Sequence, residues 1–290
     1  MTPGVLRLGR HAFGPTERLV MAIVNRTPDS FYDRGATWQE DAALQRVHEV
    51  VAAGAQIVDI GGVPAAPGST VDVEEELRRT LPFVAAVRAA YPDVVISVDT
   101  WRHEVARELC AAGADLINDS WGGWDPQLAT VAAQAGVALV CSHAGGLAPR
   151  TRPYRVTYDD VMADVLRHTL TLAERAVVAG VDPARIIIDP AHDFGKNTRH
   201  SLEVTRRLDE MVATGWPVLV SLSNKDFVGE TLDAPLEERL VGTLAATSVA
   251  AWLGARIFRA HNVTQTRHTL DMVSAIRGDL QPVRSVRGLA

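Results

Sequence analysis

The feature that most constrains this chain is a repeated punctuation: an alanine-rich helical run, a glycine, then a short β-branched run. Helical stretches such as Glu40–Ala53, Val73–Ala90, Arg102–Ala112, Asp159–Ala179 and Leu236–Leu253 alternate with apolar runs of strand character. Those runs are Leu19–Val24, Ile57–Ile60, Val94–Val98, Leu116–Asn118, Ala138–Cys141, Ile186–Asp189, Val218–Leu222 and Ile257–Arg259. Gly54, Gly113, Gly136, Gly180 and Gly254 stand where helices stop, because glycine accepts the left-handed turn that ends a helix. Such alternation is parallel βαβ construction. Eight units in 290 residues suit a (β/α)8 barrel, whose usual size is about 250 residues. The expected fold class is therefore α/β, a single-domain (β/α)8 TIM barrel over 19–279, with an N-terminal extension (1–18) and a flexible C-terminal tail (280–290). A doubly wound open sheet is the alternative, but the G-x-G-x-x-G that announces its dinucleotide is absent.

Composition narrows the function classes. A net charge of −6 argues against nucleic acid as the main partner, since phosphate backbones need a basic face. No segment approaches the roughly 18 apolar residues that span a bilayer. Near the N-terminus Val5 and Leu6 run straight into Arg7, Arg10 and His11, unlike a secretory signal. Cys110 and Cys141 are too few for a disulfide framework. A cytoplasmic protein with no membrane attachment is expected.

Polar residues follow each strand: Asn25, Asp59, Asp99, Asn118, Ser142–His143, Asp189, Ser223–Lys225 and Arg259–His261. In a closed parallel barrel these ends converge on the face where active sites lie. A single polar strand end is usually a helix cap or turn former, and Asp59 before Gly61–Gly62 can be just that. Eight in register are harder to explain as caps. Asp and Asn offer in-plane acceptors and donors to the edge of a nitrogen heterocycle, while Arg259 and His261 suit a phosphate.

On these segments the chain resembles the dihydropteroate synthase family, from about Met21 to Ile276. The matching runs are Asn25-Arg-Thr-Pro28-Asp29-Ser30-Phe31, Asp59-Ile-Gly-Gly62, Ser97-Val-Asp99-Thr100 and Ile117-Asn118-Asp119, then Asp189-Pro190 with Phe194-Gly195-Lys196, Ser223-Asn-Lys225 and Arg259-Ala-His261-Asn-Val263. The resemblance implies condensation of a pterin-methyl diphosphate with p-aminobenzoate, releasing diphosphate. It implies Asp99, Asn118, Asp189, Phe194 and Lys225 as pterin-binding residues, and Arg259 and His261 as holders of the diphosphate. Asp99, Lys225 and Arg259 are the expected catalytic residues, and Asn25 the ligand of a Mg2+ bound with the diphosphate. Meeting the charge of the leaving group and positioning the amine would be the pocket's main tasks. Members are commonly dimeric, so a homodimer is expected.

The chain also departs from the family's pattern. Where the second loop reads D-I-G-G-E-S-T-R-P-G, this sequence has Asp59-Ile-Gly-Gly-Val63-Pro64-Ala65-Ala66-Pro67-Gly68. The arginine of S-R-K after strand seven is Asn224, and two loop-six glycines are Ala191 and Asp193. Met-His-Met after strand five is Ser142-His143-Ala144, and Arg26, Tyr32 and Arg34 are further changes in loop one. A carboxylate at Asp193 is expected to crowd the pterin or repel an anion, and Arg26 to return part of the lost positive charge. The pattern resembles divergent second copies of the enzyme that are called inactive, and implies a retained ligand site with weak or lost synthase activity.

Other readings remain open at this point. A metal-dependent hydrolase would need His143, His192 and His261 to converge with Asp189, but His-x-His after strand one is missing. A phosphate-binding P-loop at Gly195-Lys196 fails because Pro190 and Asn197 replace required residues. A non-enzymatic binding barrel and a related transferase with another acceptor both survive. Trp121 and Trp124 are expected as packed indoles in a wide turn, His200 and His268 as solvated, and Lys196 as paired with acids.

Overall fold

The computed structural model describes residues 4–27 and 40–288. Among the described residues there are ten strands. A hairpin of β1 (Leu6–Leu8) and β2 (His11–Phe13) precedes eight parallel strands: β3 (Leu19–Asn25), β4 (Ile57–Gly61), β5 (Val95–Asp99), β6 (Leu116–Asp119), β7 (Ala138–Ser142), β8 (Ile186–Asp189), β9 (Leu219–Val220) and β10 (Ile257–Ala260). Consecutive barrel strands are neighbours from β3 to β8, and β10 pairs with both β3 and β9. A parallel bridge between Ile188 and Val218 joins β8 to β9, so the eight strands form a nearly closed barrel. The helices between them are α1 (Glu40–Ala52), α2 (Val73–Ala90), α3 (His103–Ala111), α4 (Leu128–Ala135), α5 (Val161–Val178), α6 (Thr198–Arg206), α7 (Leu208–Val212), α8 (Asp226–Leu232), α9 (Leu240–Leu253) and α10 (Val263–Arg277). No helix is long and apolar enough to cross a membrane among the described residues.

The strands alternate between two cores, as a period of two requires. Residues such as Val20, Val58, Ile96, Ile117, Cys141, Ile188 and Phe258 face the helices. Met21, Ile57, Val95, Leu116, Val140, Ile187, Leu219 and Ile257 fill the barrel itself. Leu6 and Leu8 of the hairpin complete that inner cluster. The hairpin region is tied to the start of β10 by Arg256, which donates to the carbonyls of Gly4, Phe13 and Gly14. The N-terminal extension thus plugs the barrel's lower end, and the upper end is left to polar side chains.

The predicted glycine stops are borne out by geometry. Gly54, Gly113, Gly136, Gly180 and Gly254 all have positive φ, between 66° and 110°. One strand is shorter than its sequence suggests: only Leu219–Val220 of Val218–Leu222 is regular, because that segment pairs mainly with β10.

Candidate functional site

Above the apolar inner core the inward positions become polar. On β4 and β5 the in-facing sequence runs Ile57, Asp59, Gly61 and Val95, Ser97, Asp99, and the strands pair with Asp59 opposite Ser97 and Gly61 opposite Asp99. Asn118 lies opposite Asp99, and Asp189 opposite Ser142. Asp59 is fully buried and is the hub of this layer. It accepts from Arg259 Nε at 2.6 Å, Ser97 Oγ at 2.6 Å and Asn118 Nδ2 at 3.3 Å. The other arm of the Arg259 guanidinium donates to Asp99 Oδ2 at 2.8 Å, and Asp99 Oδ1 accepts from Ser120 at 2.8 Å. Arg259 is therefore a fork between two carboxylates. Burial would lower its pKa, but Asp59 and Asp99 outweigh that and raise it.

The layer brings Asp99, Asn118, Asp189, Lys225 and Arg259 together, as the sequence pattern predicts. Burial pushes Asp99 up to about 6 against the pull of Arg259. Burial also pushes Asp189 up to about 6, opposed by the Ala191 amide at 2.7 Å and then by Lys225. Lys225 stands at the start of α8 with its ammonium 4.5 Å above the Phe194 ring, and burial lowers its pKa. Phe194 continues into an aromatic wall: its ring meets Trp121 edge-on at 5.0 Å, and Trp121 meets Trp101 at 6.3 Å. Trp121 is accordingly a packed indole, held by Asp119, which accepts from the amides of Trp121 and Gly123.

Next to this layer, a cavity of about 680 Å³ opens between β3, α1 and the start of α10, lined among others by Asn25, Arg46, Glu49, His261 and Asn262. His261 sits at the meeting of the two regions. Its Nδ1 contacts Ser223 Oγ at 3.0 Å, and its carbonyl accepts from Arg46 at 2.6 Å. Burial, then Arg259, Lys225 and Arg46, hold its pKa down at about 3, so the imidazole is neutral. The N-terminus of α10, a helix of 15 residues, points a set of amides at this region, an arrangement that favours anions.

Several expectations need correction. Asp193 does not stand as a free charge: it accepts from Ser201 Oγ at 3.0 Å and from the Phe227 amide at 3.3 Å, tying loop six to α8. Ala191, Asp193 and Asn224, the residues that replace family glycines and an arginine, all hold left-handed backbone at φ 49°, 68° and 57°. Strain of this kind, on the order of 1–3 kcal/mol per residue, persists where surrounding bonds over-determine it. Lys196 is paired not with acids but with the carbonyls of His143, Ala191 and Phe194 and with His143 Nδ1 at 2.7 Å. Burial brings its pKa down to about 7. The neighbouring Gly195 is required, because a Cβ there would lie 2.5 Å from the Ala144 carbonyl.

The three histidines of the hydrolase reading do not converge. His143 pairs with Asp164, His192 with Thr205 and His261 with Ser223. His200 is not merely solvated; it closes the capping box of α6 with Asn197 and meets Tyr158 edge-on. Arg26 lies over the Phe83 ring and donates to the Arg79 carbonyl, on the α2 side of the barrel. Pro28, Asp29, Ser30, Phe31, Tyr32 and Arg34 lie outside the described residues.

The sequence reading treated Asp59 as a possible cap, named Ser97 only as part of a matching run, and overlooked Arg46. The missed signal was the alternation itself: Asp59 and Ser97 share the inward phase of Ile57 and Val95. Arg150 was also overlooked. It reaches from the loop after β7 to the loop after β4 and donates to the carbonyls of Ala66, at 3.0–3.1 Å, and Ser69, at 2.6 Å.

Comparison with known proteins agrees with this geometry. Residues 21–261 match the family described as pterin binding enzyme. A protein of Mycobacterium leprae named inactive dihydropteroate synthase 2 is 60% identical over 94% of this chain and 95% of its own. The dihydropteroate synthase of Bacillus subtilis is 40% identical over 89% of this chain and 88% of its own. Among solved structures, Yersinia pestis dihydropteroate synthase in complex with a sulfonamide drug superposes with a TM-score of 0.89 at 35% identity, covering 95% of this chain and all of that one.

Proposed function

Because the chain belongs to the pterin-binding enzyme family, we propose that it grips a pterin-like heterocycle on its acidic barrel layer, while its dihydropteroate synthase activity is weak or lost. The observation that carries the reading is the buried fork of Arg259 between Asp59 and Asp99, with Asn118, Asp189 and Lys225 on the same inward face. Ionised Asp99 and Asp189 accept ring N–H groups. Asn118 adds a carboxamide, Lys225 donates to a ring carbonyl or nitrogen, and the Phe194 ring beside it supplies an apolar face. Such a layer recognises a flat ring with mixed donors and acceptors and rejects one that leaves its buried groups unpaired.

Charge on a leaving diphosphate would fall to the other end of the site. Neutral His261 donates a hydrogen bond there, Arg46 and the α10 N-terminus contribute positive potential, and Arg259 is committed to the acidic layer. Asn25, at the end of β3 on the same cavity, offers one oxygen donor, which fits Mg2+, an ion that takes few protein ligands and keeps water and phosphate oxygens. Bound there, Mg2+ would neutralise charge on the diphosphate. The loop after β4 is where activity is expected to fail. It presents exposed Ala65 and Ala66 in place of hydroxyls and a guanidinium, and its carbonyls already occupy Arg150. Losing one charge-assisted contact of this kind costs roughly 10²–10³ in rate.

A cytoplasmic homodimer belongs to the same proposal. Cys110 and Cys141 are unbridged, and Val241, Val249 and Trp252 on α9 with Met272 and Ile276 on α10 form an exposed apolar face on two helices packed together. The direct test is diphosphate release from dihydropterin-methyl diphosphate and p-aminobenzoate. Release at least a hundredfold slower than by the B. subtilis enzyme is expected, and equal turnover contradicts the reading.

A further inference from the structure

We propose that Ser142 is a specificity-determining residue of the heterocycle site, donating a hydrogen bond to a ring carbonyl beside the N–H that Asp189 accepts. The inference rests on the pterin reading above and deepens it by naming the ring edge that β7 reads.

Ser142 faces into the barrel. Along β7, Leu139 and Cys141 belong to the outer core, while Ala138 and Val140 belong to the inner cluster. The next inward position is Ser142. Its register partner on β8 is Asp189, and Val140, one inward step below, is opposite Asn118. The side chain therefore stands between two of the groups expected to hold the ring.

It is fully buried, and its Oγ has no hydrogen-bond partner. The other serine hydroxyls around this site are spoken for: Ser97 bonds Asp59, Ser120 bonds Asp99, and Ser223 bonds His261. A buried hydroxyl without a partner is destabilising and needs a cause. Folding supplies none, since alanine would fit the same backbone and leave no orphan. The neighbouring side chains do not supply it: Asp189 Oδ1 takes the Ala191 amide, and Asn118 Nδ2 is a donor spent on Asp59. The missing partner thus has to arrive from inside the barrel.

Chemistry selects what arrives. Asp189 is an acceptor and calls for an N–H. In a lactam the N–H is adjacent to a C=O, so a ring that offers its N–H to Asp189 presents a carbonyl at the next position. Ser142, the residue paired with Asp189, is placed to donate to it. The favoured ligand class is a 2-amino-4-oxo fused heterocycle rather than one lacking the oxo group.

The test compares pterin with 2-aminopteridine, which lacks the 4-oxo group, by calorimetric titration of the full-length protein. Wild type is expected to prefer pterin. In Ser142→Ala that preference should fall about five- to tenfold, the loss of one neutral hydrogen bond. Ser142→Thr, which keeps the hydroxyl, should retain it. Thermal unfolding of ligand-free Ser142→Ala should stay level or rise, a sign opposite to that of a structural hydroxyl. An unchanged preference in Ser142→Ala, or a lowered unfolding temperature with unchanged preference, overturns the inference while leaving the pterin reading intact. Wild type that binds neither ring overturns both.

Discussion

Asp59→Ala is the perturbation with the largest expected consequence. Asp59 is 0% exposed and accepts from Arg259, Ser97 and Asn118. Removing it leaves the Arg259 guanidinium with Asp99 alone, and it strips acceptors from two further buried groups. Breaking a buried pair in this way costs about 3–5 kcal/mol. At about 2–4 °C per kcal/mol for a domain of this size, the unfolding temperature should fall by roughly 6–20 °C. Much of that cost is the stranded cation, so Asp59→Ala combined with Arg259→Met should be less destabilised than the sum of the two single changes, by at least about 1 kcal/mol. Differential scanning calorimetry of the four proteins measures the cycle. Ligand affinity should fall with stability in Asp59→Ala, since Asp59 also orients Asn118. An Asp59→Ala protein within about 1 kcal/mol of wild type, or a strictly additive cycle, would refute the hub role.

Other expectations follow from the same geometry. Pterin affinity should weaken as pH falls through about 6, where Asp99 and Asp189 gain protons, and should level above it; titrations from pH 5 to 8 give the curve. The same two groups have folded pKa values above the ordinary carboxylate value, so the folded state binds more protons than the unfolded one in that window. Their contribution to stability is present below about 4 and lost as pH rises to about 6, which urea unfolding at several pH values reads out. Restoring the loop after β4 with Val63→Glu, Pro64→Ser, Ala65→Thr and Ala66→Arg together should raise diphosphate release at least tenfold; no gain in a coupled phosphate assay counts against the loop as the lesion. Arg150→Ala should speed hydrogen exchange and proteolysis across residues 63–70 with little change in global stability, because its bonds join two surface loops.

The fold was largely legible because its signals are local. Five helix stops are marked by glycines with positive φ, and most barrel strands by short apolar runs rich in Val and Ile. The hairpin of Leu6–Leu8 and His11–Phe13 was not legible, since three-residue strands carry too few positions to show a period, and their value lies in plugging a distant barrel end. At the site, residue type and strand-end position pointed to Asp99, Asn118, Asp189, Lys225 and Arg259. What they could not give was partner choice. Arg259 looked like a phosphate ligand and is engaged by two carboxylates. Asp193 looked like an intruding charge and is a tie between Ser201 and Phe227. Lys196 looked like an ion-pair partner and is instead surrounded by carbonyls. Each of those outcomes depends on contacts between residues on different loops, and no single stretch of sequence records them.

The most direct measurement of the account is a calorimetric titration of the protein with dihydropterin-methyl diphosphate and Mg2+, repeated with Asp189→Asn. The account predicts saturable binding near one ligand per chain that weakens at least tenfold in Asp189→Asn. Absence of binding to the wild-type protein, or equal binding by Asp189→Asn, would contradict the claim that the acidic barrel layer is a heterocycle site.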